Sequence, residues 1–169
     1  MDVLYTLSVF SGALAQVIMA STSISILAEH PGPLSLTGSE AEVQLQVYEE
    51  NQHRFSHESL LDSRVILNFH RIFGEPYSPN YDVYLVAGTQ GNSLEYIGTL
   101  SFFSVAPKSP ENSEGANLKI KIESPVREML GNEAQSHQSI TLLLKPQDVT
   151  DTPVSVDIEF IFLCYVPKG

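Results

Sequence analysis

The run Tyr81 to Ser104, YDVYLVAGTQGNSLEYIGTLSFFS, constrains the fold more than any other stretch. Tyr81-Asp82-Val83-Tyr84-Leu85-Val86 has the β-branched and aromatic composition of a strand. Gly88-Thr89-Gln90-Gly91-Asn92-Ser93 follows, rich in residues that tolerate positive φ or bond their own backbone, and reads as a loop. Tyr96 to Phe103 then resumes a strand pattern. Gly98 inside it predicts a bulge or a close backbone approach. The stretch is a β-hairpin with no catalytic group of its own.

The same alternation recurs along the chain. Val43, Leu45 and Val47 are separated by Gln44 and Gln46, the pattern of a half-buried antiparallel strand. Val65, Leu67 and Phe69 share one face of Arg64 to His70. Leu118 to Ile122 alternates with lysines, a device that protects a sheet edge. Ile140 to Leu144 and Val154 to Cys164 complete the set, after a short strand at Thr22 to Leu27. Ser124 to Gly131 reads as one helix of barely two turns, with Ser124 as N-cap, Pro125 at the first position and Gly131 as the left-handed stop. Glu49 to Asp62, Phe73 to Asn80 and Pro107 to Ala116 read as loops, the last a solvated linker. About eight strands without a βαβ rhythm predict an all-β fold, an antiparallel β-sandwich or Greek-key barrel with one short helix. The expected core includes Val43, Leu45, Val65, Leu67, Phe69, Val83, Leu100, Ile120, Leu142, Ile158 and Phe160.

The hairpin and its flanks resemble the C-terminal β domain of tyrosinases and polyphenol oxidases, the type-3 copper proteins related to haemocyanins. Arg64 to His70 followed by Gly74-Glu75-Pro76 is similar to that domain's preceding strand and loop. The helix near Val126 to Leu130 and the last two strands follow in the same order. The resemblance spans roughly Ser21 to Val166, and the chain has Asn80-Tyr81-Asp82-Val83 where plant members carry Lys-Phe-Asp-Val. It implies one β domain over 21–166, preceded by an apolar segment over 1–20. It also implies a non-catalytic role: packing on a His-rich dicopper oxidase domain, here encoded separately, and shielding its entrance with an apolar or aromatic side chain. Phe73 and Tyr77 are the candidates for that side chain. The alternative is a free-standing binding module for an unrelated protein or small ligand.

Chemistry beyond this finds little support in the residues. The pair His53 and His57 has the spacing that places two imidazoles on one helix face, and is the metal candidate. A dicopper site of the resembling family takes six histidines on a helical bundle, whereas this chain has five, His30, His53, His57, His70 and His137, scattered over loops and strands. There is no nucleophile elbow and no phosphate-binding glycine loop. No cofactor is therefore expected. Tyr81, Tyr84, Tyr96, Phe102 and Phe103 could form a ligand face, but alternation sends about half of them inward. The one cysteine, Cys164, falls in step with Val156, Ile158, Phe160 and Phe162 and reads as a buried, inert thiol.

The 169 residues suffice for one domain, and 43% are hydrophobic. Nine basic against twenty acidic residues give a net charge of −11, which speaks against nucleic acid and anionic membranes as partners. Val3 to Ala20 is apolar, but Asp2 and the lack of any preceding Lys or Arg are the reverse of a secretion signal. This favours residence in the cytoplasm; read as a signal, the segment would imply secretion instead. Deletion of residues 1 to 20 is expected to leave the β fold intact and to alter self-association or partner binding.

Overall fold

The structure, a computed structural model, describes residues 18–19, 22–88, 93–151 and 153–167. Most of the apolar N-terminal segment thus lies outside the described residues, apart from a two-residue ladder between β1 (Ile18–Met19) and β2 (Thr22–Ser23). The remaining strands are β3 (Ser25–Glu29), β4 (Leu34–Leu36), β5 (Ala41–Val47), β6 (Ser63–Gly74), β7 (Tyr81–Ala87), β8 (Ser93–Leu100), β9 (Ala116–Ile122), β10 (Ser139–Pro146) and β11 (Val156–Pro167). They form one antiparallel sheet in the order β8-β7-β10-β5-β3-β11-β6-β9, with β4 also on β11. The sheet curls into a nearly closed barrel, the all-β class the alternation predicts.

Closure depends on glycine. A Cβ on Gly98 of β8 would lie 2.8 Å from the Ile120 side chain of β9, so the two end strands meet where β8 carries no side chain. No ladder joins them there. The β7–β8 register shifts beside Gly98, between Val83 and Tyr84.

Inside lie Val43, Leu45, Val65, Leu67, Phe69, Val83, Leu100, Ile120, Leu142 and Ile158, all buried as expected. Phe160 is the exception. It is half-buried and packs with Ile26, Phe162 and Cys164 on the opposite face of the sheet. The cause is a matched phase change in two paired strands. Arg71 of β6 takes φ 55, its N–H donates to Asn117 Oδ1, and the β6–β9 register shifts between Phe69 and Ile72. On β11 the core-facing set passes from Val156 and Ile158 to Ile161 and Leu163. Cys164 therefore shares a face with Phe160 and Phe162, and not with Val156 or Ile158.

Helices close one end of the barrel. The expected polar loop Glu49 to Asp62 is instead a 3-10 helix (Glu49–Phe55) followed by α1 (His57–Leu61), because Phe55 and Leu60 are buried against α2. Helix α2 spans Ser124–His137, not Ser124 to Gly131. Glu123 is its N-cap, and Gln138, at φ 55, ends it in the left-handed region. Gly131 serves another purpose: it lets the helix approach the Phe55 carbonyl. The Arg127 guanidinium donates to the Leu60 and Ser63 carbonyls and fixes α2 to the α1–β6 junction.

Loops close the other end. There Val156 pairs with Leu36 and Gly74, Ile72 with Ala116, Leu144 with Ala41, and Tyr81 with Leu100 and Pro146. The connections 37–40, 75–80 and 101–115 emerge at that end, as do 147–151 and 153–155. No helix among the described residues is long and apolar enough to cross a membrane.

Candidate functional site

The four loops are joined by backbone and side-chain hydrogen bonds. Gly74 N–H donates to the Ala106 carbonyl, Glu75 N–H to that of Ser155, and Gln147 N–H to that of Asn80. Gly38 N–H donates to the buried Tyr81 hydroxyl at 2.8 Å. The segment 107–116, expected as a solvated linker, is held by polar contacts: Asn112 Nδ2 donates to the Ala106 and Pro107 carbonyls, and Lys108 Nζ to Glu159 Oε1 at 2.7 Å.

From this ordered frame three large apolar side chains project into solvent. Tyr77 is 88% exposed, Phe103 90% and Val149 90%, each on a different loop. Tyr77 stands out because its backbone has φ 70. Pro76 precedes it and Ser78 Oγ donates back to the Glu75 carbonyl at 2.7 Å. Proline followed by positive φ is the pattern of a type II turn, whose third position favours glycine. A tyrosine there costs about 1–2 kcal/mol of backbone strain, and its exposed ring recovers little of it by burial.

Phe73, the other shielding candidate, is not in a loop: β6 continues through Gly74, and Phe73 is 4% exposed. It forms part of a cleft of about 540 Å³ on the outer face of β4, β11 and β6. Ser35, Asp157 and Phe73 occupy one cross-strand row. Ser35 Oγ donates to Asp157 Oδ1 at 2.5 Å. Glu159, two residues on, is bonded by both Arg71 and Lys108, and both cations lie over the Phe73 ring, 5.9 and 5.0 Å from its centroid. Burial works to raise the Glu159 carboxyl, but the hydrogen bonds and charges of Lys108 and Arg71 outweigh it and hold the group below its usual value.

His53 lies in the 3-10 helix and His57 opens α1, with Ser56 between them in an extended conformation (ψ 149). The two therefore stand in different helical elements. Among the described residues no group of three His, Cys, Asp or Glu is placed to hold a metal ion. His70 packs edge-on against Phe162, and burial, helped by the charge of Lys119, pushes its imidazole down. The aromatic set divides: Tyr81 and Phe102 pack inside, Tyr84 and Tyr96 pair across the outer face, and Phe103 is free in solvent. β8 ends at Leu100, and a turn with Val105 N–H on the Phe102 carbonyl separates the adjacent phenylalanines. Sequence reasoning missed Val149, Lys108, Asp157 and Glu159, and named Phe103 only within the set of aromatics that could form a ligand face. The Phe102-Phe103 doublet was the available signal, since neighbours on an alternating chain cannot both face one core.

The fold and this end of it define an antiparallel β-barrel domain with a helix-capped end and a loop-bearing end. The chain belongs to the family described as "Domain of unknown function (DUF7868)", whose model matches residues 23–165. No curated protein matches it. Among solved structures it is similar to latent apple tyrosinase, with TM-score 0.49 and 19% identity over 80% of this chain and 27% of that one. It is also similar to recombinantly expressed latent aurone synthase, a polyphenol oxidase, with TM-score 0.47 and 14% identity over 81% of this chain and 26% of the other. The chain spans about a quarter of the length of these solved chains.

Proposed function

We propose that this chain is a non-catalytic accessory domain that docks its loop-bearing end on a partner protein, with Tyr77 as the side chain that enters the partner. Tyr77 carries this reading: a strained, almost fully exposed aromatic residue on a hydrogen-bonded frame is costly to the fold and useful to a contact. Phe103 and Val149 supply further apolar surface from neighbouring loops. The four loops carry Glu40, Glu75, Glu111, Glu114, Asp148 and Asp151 against Lys108 as their single basic residue, which suits an apolar recess with a cationic rim. The sequence resemblance of Tyr81 to Ser104 and its flanks supports a His-rich dicopper oxidase domain as the partner. The domain would act by steric occlusion, in an equilibrium between docked and released states.

The test is to add the purified chain to the dicopper oxidase domain encoded nearest to it and to follow catechol oxidation. Inhibition that saturates with the wild-type chain and is lost with Tyr77→Gly is the expected result. Undiminished oxidation at saturating chain, or equal inhibition by the variant, would overturn the reading. Catechol oxidation by the chain alone would overturn its non-catalytic part.

A further inference from the structure

The cleft beside the loop-bearing end has an uneven charge. Glu159 engages two cations, Arg71 and Lys108, whereas Asp157 is exposed and receives only the Ser35 hydroxyl among the described residues. The four charges cancel in sum, and Asp157 is the carboxylate of the two that no cation pairs among the described residues. Beside them the lining is mainly apolar, with Pro33 and the half-buried Phe160 on the walls. The Phe73 ring is already covered by its two cations, while no cation lies over Phe160 among the described residues. Gly32, at φ 137, leaves the rim open, since a Cβ there would meet nothing within 4 Å.

We propose that this cleft is a receptor for one arginine side chain of a partner protein. The planar guanidinium matches each feature in turn. It pairs with Asp157 by a charge-assisted hydrogen bond, lays its face on the exposed part of the half-buried Phe160 ring, and is weakly hydrated enough to enter an apolar cleft. Its aliphatic stem covers Pro33. Lys108 spends one of three ammonium donors on Glu159, so another can reach the arginine's backbone carbonyl. Lysine fits less well, because a compact, strongly hydrated ammonium has no face to stack.

Tyr77 does not line the cleft, and the test of this site is separate from that of docking. Backbone amide shifts of the isotope-labelled chain are followed while N-acetyl-arginine methylamide is added, and again with the citrulline counterpart, which keeps the shape without the charge. Saturable shifts at Ser35, Asp157 and Phe160 with arginine, and none with citrulline, are expected. Asp157→Asn should weaken binding at least ~10-fold, while Tyr77→Gly binds as wild type. Loss of binding in Tyr77→Gly, equal binding of the citrulline compound, or shifts spread evenly over acidic residues such as Glu49 and Asp148 would overturn the proposal. So would an Asp157→Asn variant with unchanged affinity.

Discussion

The carbonyl oxygen of Phe55 stands 2.7 Å from where a Cβ on Gly131 would sit. Gly131→Ala would ordinarily strengthen a helix interior by ~1 kcal/mol. Here the added methyl meets the Phe55 backbone carbonyl and the buried Leu60 side chain, so packed groups must shift to admit it. The expected outcome is a net loss of about 1–3 kcal/mol. Urea denaturation checks it; a variant as stable as wild type would mean that α2 shifts freely over the 3-10 helix.

The matched phase change in β6 and β11 reverses two neighbouring side chains. Ile161 is fully buried, whereas Phe160 sits half-buried on the outer face. Ile161→Ala should cost about 2–5 kcal/mol, and Phe160→Ala about half of that or less, although it removes the larger side chain. The reverse ranking of urea midpoints would restore the uninterrupted alternation.

Glu159 gives a pH dependence with a definite sign. Its carboxyl is lowered in the folded state by Lys108 and Arg71, so its contribution is present above the unfolded-state value. It is lost as the pH falls through the lower folded-state value. Wild type should therefore lose stability across that acidic window faster than Glu159→Gln, with the two converging at the acid end. Thermal midpoints measured along a pH series decide this, and parallel curves would count against the clamp.

Cys164 should resist thiol reagents in the folded chain. Its Sγ accepts from Asn68 Nδ2 at 3.4 Å, and burial pushes the thiol up to about 12. Alkylation at pH 8 should be slow in native protein and fast in urea, as read by mass spectrometry. Equal rates in both would show the outer-face cluster to be open.

The alternation of β5, β7 and β9 made the fold class legible, because one face of each strand is buried and the other wet. The phase change was not legible, since Arg71 at positive φ looks like any other strand residue in sequence. Gly131 reads in sequence as a helix stop and so shortens α2; only the tertiary approach of Phe55 explains a glycine in mid-helix. The stretch 49–62 hid its structure because Phe55 and Leu60 are too far apart to display a period. At the loop end, Tyr77 could be named as a candidate from its sequence context. The cleft could not, since Ser35, Phe73, Lys108 and Asp157 come from four distant segments.

The seam between β8 and β9 has a consequence for solubility. Two strand edges face each other there without a ladder, drawn together at Gly98 and Ile120. Each edge could recruit a strand from another molecule, but their mutual proximity hides both, and the exposed Lys119 and Lys121 discourage a stranger from adding to β9. A side chain at position 98 would wedge the barrel open and present both edges at once. The damage would then appear less as lost stability than as growth of aggregates, with one glycine guarding the chain against polymerising with itself.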